Sequence, residues 1–162
     1  ELIVRPLTGL RVAPFYGCYL RRPEDVIQDG GRKRYIEKVT TALGAESVDI
    51  RGKGKCCGFP ILTINEPNSL AMAAKHTSEA RDKGADAIVV PCPLCHLNLD
   101  GQQSRAEKQT DQQINMPILH LPQLVGMALG MSPRDMEISR HFVSTKNIEE
   151  KVQGMNEIQQ SH

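Results

Sequence analysis

The chain has no tryptophan, and aromatic residues make up only 4% of its 162 positions. That is too few for a stacking platform that holds nucleic-acid bases. Net charge is nearly absent as well: 20 Lys and Arg against 19 Asp and Glu leave +1. Composition therefore supplies no electrostatic pull toward nucleic acid or an anionic membrane surface. No apolar run approaches the roughly 20 residues of a membrane-spanning helix. The cysteine count is five, an odd number, which argues against the paired scaffold of a small secreted domain. A chain of this length also buries a sufficient core without covalent staples. These exclusions leave a reducing, cytoplasmic setting, where grouped cysteines bind metal or do redox chemistry. The chain begins with Glu1 rather than Met, which fits a processed product or a part of something longer.

Four short apolar, β-branched stretches are present, at residues 11–16, 46–50, 85–90 and 117–121. Helical patterns lie between the first three. Ile36, Val39 and Leu43 fall at i, i+3 and i+7, and Gly44 suits the position just past a helix end. Asn68 is a candidate N-cap for a helix over residues 69–83, stopped by Gly84. Pro122 suits the N1 position of a last helix ending near Gly130. Strand alternating with helix predicts an α/β fold: a mostly parallel sheet of about four strands with flanking helices. Residues 101–115 are polar and rich in Gln, and are expected to form a long surface loop. Residues 147–162 are expected to form a polar tail, although Ile148, Val152 and Met155 have helical spacing. The main domain is then 1–146.

The cysteines follow the strands. Cys18 comes after the first, Cys56 and Cys57 after the second, Cys92 and Cys95 after the third. Ligands of open α/β sheets bind at the carboxyl ends of the strands, so all five thiols are expected on one edge, as a metal site. Isolated buried cysteines are ordinary small hydrophobes. An adjacent pair plus a C-P-L-C, all at strand ends, is not explained that way. Cys92 and Cys95 lie at a strand-to-helix turn, where backbone N–H groups favour thiolate. Consecutive side chains diverge, so Cys56 and Cys57 suit a multinuclear cluster better than a single ion. Basic residues crowd the same loops: Arg21 and Arg22, then Arg51, Lys53 and Lys55. They are either solvated surface or cations set near an anionic site, and Lys53, Lys55 and Arg21 are expected to line the approach to it. His96 follows a cysteine, but in a helix it points away from the Cys95 side chain. His120 ends the fourth strand on the same edge and is the better neighbour for the site. His76, His141 and His162 carry no pattern.

Cys18, then Cys56-Cys57-Gly58 with 37 residues between Cys18 and Cys56, then C-P-L-C at 92–95 with 34 residues between Cys57 and Cys92, resembles the CCG cysteine-rich domain. Within that family the flanks are most similar to the B-type subunit of heterodisulfide reductases: V-A-P-F-Y-G-C at 12–18, C-C-G-F-P at 56–60, P-C-P-L-C-H at 91–96 and L-P-Q-L-V-G at 121–126. The likeness runs over residues 10–145. It implies a noncubane [4Fe–4S] cluster held by Cys18, Cys56, Cys57, Cys92 and Cys95, and reductive cleavage of a disulfide, or its reverse, at cluster iron. It also implies a flavoprotein or ferredoxin-like iron–sulfur subunit as redox partner, a disulfide or thiol substrate, and membrane association only through a complex. The B-type subunit carries two such domains and this chain one, with flanks like the second, C-terminal copy, so a fragment or a single-domain relative is expected.

Two other classes fit the cysteines. Four thiolates suit a structural zinc site, with one cysteine left over and no redox role. Cys92 and Cys95 alone suit a metal-free thiol–disulfide oxidoreductase, which leaves Cys18, Cys56 and Cys57 without a task.

Overall fold

Four parallel strands make one sheet in the order β2-β1-β3-β4. They are β1 (Arg11–Pro14), β2 (Glu46–Ser47), β3 (Ala87–Val90) and β4 (Ile118–His120). This is a computed structural model that describes residues 3–18 and 34–160, with side chains to residue 154. Val12 is in register with Ala87, and Ile88 with Ile118. The crossover from β1 goes to one side, to β2, and the chain then returns to place β3 on the other side. The point of reversal lies between β1 and β3, where such sheets leave a crevice beyond the strand ends.

Helices cover both faces of the sheet, so the strands are apolar on both sides. Val12, Ala87 and Val89 face a core shared with Ile36, Leu124, Met127 and Ile148. Ala13, Ile88 and Val90 face the other, with Phe15, Leu70, Ala73 and Leu99. The helices are α1 (Tyr35–Ala42), α2 (Glu66–Asp82), α3 (Pro93–Gly101), α4 (Gln103–Thr110), α5 (Leu121–Ala128) and α6 (Lys146–Gln160). The α/β class, the parallel sheet and the four strand positions are therefore as expected from the sequence. Gly44 and Gly84 follow α1 and α2 with φ of 85° and 71°, the left-handed turn that ends a helix.

Three boundaries differ. The cap of α2 is Asn65, whose side chain accepts the Asn68 backbone N–H at 3.3 Å. Pro67 therefore lies inside the first turn, where its missing N–H costs nothing. Leu121 precedes Pro122 in α5, and the Gln123 side chain accepts the His120 N–H at 2.9 Å. The segment expected as a polar tail forms α6, and its Ile148 and Val152 are buried in the core of α1 and α5.

The expected loop at 101–115 is instead mostly helix. The reason is Gln103, whose side chain is buried and fully bonded. Its amide nitrogen donates to Leu99 O and Met116 O at 2.8 and 2.6 Å, and its oxygen accepts the Met116 N–H at 2.9 Å. A polar side chain thus acts as a strand edge for the residues leading into β4. Replacing Gln103 by leucine leaves the Met116 N–H and carbonyl buried without partners, and a loss of about 1–3 kcal/mol is expected. Urea unfolding should show it as a lower midpoint at unchanged slope.

Candidate metal centre

Each cysteine is placed by its backbone. After β1 the chain turns through Gly17, at φ 68°, to Cys18. The N–H groups of Tyr16 and Gly17 both donate to Lys53 O, at 2.7 and 3.3 Å. This ties the first cysteine loop to the short 3-10 turn Arg51–Gly54 that precedes Cys56. The Tyr16 hydroxyl and the Lys53 ammonium converge on the Glu37 carboxylate of α1. Burial first, and that hydrogen bond second, push the tyrosine hydroxyl far up from its ordinary value.

The Cys56-Cys57-Gly58 turn is held by three buried side chains, one for each carbonyl. His76 Nε2 lies 3.0 Å from Cys56 O; a carbonyl only accepts, so this nitrogen carries the proton. Asn98 donates to Cys57 O at 2.8 Å and the Ser69 hydroxyl to Gly58 O at 3.0 Å. Gly58 itself sits at φ 100°, and a Cβ there would lie 2.8 Å from Ser69 O. Cys92 caps α3 with Pro93 as its first helical residue, which leaves Cys95 in the first turn.

The five sulfurs form one continuous run. Neighbouring thiols interact along it: Cys18 with Cys56, Cys56 with Cys57, Cys57 with Cys95, and Cys95 with Cys92. All are free thiols. Hydrogen bonding from Cys95 draws Cys57 down to about 7, against the opposing effect of burial. The same contact pushes Cys95 up, and burial raises Cys56. One member of the run is therefore ready to ionise near neutral pH, the form that binds metal. Cys18, Cys57, Cys92 and Cys95 share a cavity of about 530 Å³ whose other walls are Tyr35, Phe59, Pro60, Pro91, Pro93 and Leu94. Soft thiol donors in an almost wholly apolar chamber fit an iron–sulfur cluster, since thiolates are the ligands such clusters take.

Residues 12–100, more than half of the chain, match the CCG family of cysteine-rich domains. The chain belongs to that family. It is 32% identical over 90% of its length to the 8-methylmenaquinol:fumarate reductase membrane anchor subunit of Wolinella succinogenes, covering 52% of that protein. It is 34% identical over 92% of its length to the B-type subunit of the ferredoxin/F420H2-dependent CoB-CoM heterodisulfide reductase of Methanosarcina acetivorans. Against the B-type subunit of the ferredoxin:CoB-CoM heterodisulfide reductase of Methanosarcina mazei the identity is 35% over 92%. Half of each of those two proteins is covered, so the chain spans about half the length of the curated relatives it matches. In fold it resembles a hypothetical protein from Helicobacter pylori, with a TM-score of 0.68 at 19% identity, over 88% of this chain and 26% of that one.

The basic loops of the CCG domain divide. Lys53 is not free to line an approach, because it pairs with Glu37 and Asp49 at 3.1 and 2.6 Å. Lys55 does line a second cavity, with Arg51, Lys75, His76 and Cys56. Arg21 and Arg22 lie outside the described residues. Three histidines form a group that spacing did not reveal. His96 and His120 stack with ring centres 4.2 Å apart, and His96 meets His141 edge-on at 4.7 Å. Burial first, and the other two histidines next, draw His96 down to about 4; burial also lowers His120.

Proposed function

We propose that this chain is the iron–sulfur redox module of a protein like the B-type subunit of heterodisulfide reductases, and that it reduces a disulfide or, in reverse, forms one. The observation that carries this reading is the run of five thiols at the sheet's point of reversal, four of which line one apolar chamber. Cys18, Cys56, Cys57, Cys92 and Cys95 hold a noncubane [4Fe–4S] cluster, which supplies the electrons to the substrate sulfur when bound. The balanced reaction takes two electrons and two protons into a disulfide and releases two thiols. The electrons come from a flavoprotein or a ferredoxin-like iron–sulfur subunit.

The protein's share of the work is placement. His76, Asn98 and Ser69 fix the carbonyls on either side of the paired cysteines. The Tyr16–Glu37–Lys53 group holds the Cys18 loop against them. Phe59, Pro60 and Leu94 give the chamber apolar walls beside the thiols. No helix among the described residues is long and apolar enough to cross a membrane; the reading places the module in the cytoplasm, reaching a membrane only through a complex. The relatives' length supports one CCG copy of a two-domain protein.

Purification without oxygen, with assay of iron, acid-labile sulfide and zinc, tests the reading. Brown protein with about four irons for each chain is expected. Colourless protein with one zinc would make it an assembly module. Protein that takes up no metal, even on reconstitution with iron and sulfide, would leave a thiol–disulfide oxidoreductase using Cys92 and Cys95.

A further inference from the structure

We propose that His96, Asp100 and His141 bind a divalent transition-metal ion of the zinc class, at a second site distinct from the five thiols. His96 and Asp100 lie four residues apart on α3, one turn, and so share a face of that helix. His141 reaches them from the irregular segment before α6. One donor atom from each lies within 4.8 Å of the others.

Three observations point to a cation. Asp100 is 2% exposed, and no Lys or Arg among the described residues pairs with it. Among the described residues its oxygens accept the Phe142 and Val143 backbone N–H groups, at 2.8 and 3.1 Å. A buried carboxylate without a counter-charge is costly, and a bound cation removes that cost. Second, His96 Nε2 and His141 Nδ1 face each other at 3.4 Å. Two nitrogens each about 2.0–2.1 Å from a tetrahedral ion stand about 3.4 Å apart, so the pair already has the bite of such an ion. Third, the outer contacts are those of metal ligands. The Asp100 carboxylate is oriented by two backbone donors, as ligating side chains usually are. His141 also lines an open cavity of about 550 Å³, so one of the three side chains is reached from solvent.

Gln123 sets a condition. Its amide nitrogen lies 2.9 Å from His141 Nε2 and 3.0 Å from Met136 O. An ion on Nδ1 puts the ring proton on Nε2 and turns the Gln123 amide, at the expense of its bonds to Met136 O and to the His120 N–H. Neutral hydrogen bonds of this kind are weak beside bonds from a zinc-class ion to imidazole. Two histidines and a carboxylate favour Zn²⁺ or Fe²⁺ over the hard, oxygen-seeking Mg²⁺ and Ca²⁺. The ion would pin the 141–143 segment to α3, the helix that carries Cys95.

Cobalt is the probe, because thiolate-bound Co²⁺ announces itself by a sulfur-to-metal charge-transfer band. The chain is isolated without oxygen, its iron content is recorded, and it is titrated with Co²⁺ and then Zn²⁺. One equivalent of Co²⁺ showing d–d bands without the thiolate band, and displaced by Zn²⁺, is expected. In His141→Ala the affinity should fall by more than about tenfold, since even an outer-contact loss costs ~10–100-fold, with iron content unchanged. Asp100 is buried, so Asp100→Asn tests folding as much as binding. His141 is partly exposed, and its variant decides, with a thermal melt to show that it folds. Absence of Co²⁺ uptake beyond the thiols, a thiolate band accompanying all of it, or equal affinity in folded His141→Ala would overturn the site.

Discussion

Cys57→Ala is expected to lose the iron–sulfur site almost entirely, with iron and acid-labile sulfide falling at least about tenfold. A lost ligand should cost no less than the ~10–100-fold that loss of an outer contact costs. Cys57 is the hub of the sulfur run: it interacts with both Cys56 and Cys95 and is the thiol drawn down to about 7. Its carbonyl is gripped by Asn98, so no neighbouring thiol can slide into its place. Cys18→Ala removes an end of the run and is expected to leave a smaller or altered cluster, seen as a changed visible and paramagnetic spectrum. Wild-type iron and an unchanged spectrum in Cys57→Ala would remove it from the ligand set.

Gly17→Ala is expected to do nearly as much damage without touching a cysteine. Gly17 has φ 68°, and a Cβ built on it falls 2.7 Å from Cys95 Sγ. Either Cys95 is displaced or the Cys18 loop swings away, and both open the run. The backbone strain adds about 1–3 kcal/mol to the cost. Gly130→Ala is the control. Its φ is similar, 80°, but its added Cβ meets Val4 at 3.5 Å and Arg5 at 3.9 Å, both ordinary contacts. Both variants should melt lower; only Gly17→Ala should lose iron. Equal iron in the two would mean that Cys95 accommodates the methyl group and is less tightly placed than its contacts imply.

The strands were legible because both faces of the sheet are covered, which makes each strand a short unbroken apolar run. The thiols were legible for the same reason, since finding the strand ends located the cysteines. The anchoring side chains were not. Ser69, His76 and Asn98 act on backbone carbonyls far away in sequence, and no motif records that. A signal was nevertheless present: Ser69, Ala73, His76 and Ala80 fall on one stripe of α2, and all four are buried. A serine and a histidine on an apolar helix face ask for polar partners. The helical character of Gln103 was hidden by a polar composition that also describes a loop. His141 belongs to the irregular stretch between α5 and α6, where there is no periodicity to place it. Lys53 misled in the other direction, since a lysine near cysteines in sequence is held by carboxylates in space.

Parallel pairing of β1 with β3 has a consequence for how this protein is made. The bond from Arg11 N–H to Asp86 joins residues 75 apart, and the crevice exists only once that pairing forms. Long-range parallel pairing is slow because loop closure must precede the contacts that reward it. At roughly 5–20 residues per second, a ribosome needs about 4–15 s to add 75 residues. During that interval Cys18, and then Cys56 and Cys57, are out of the ribosome without the helices that later enclose them. Thiols in that condition are open to oxidation and to capture by whichever soft metal is abundant. A slowed or oxygen-exposed synthesis lengthens that exposure of the thiols.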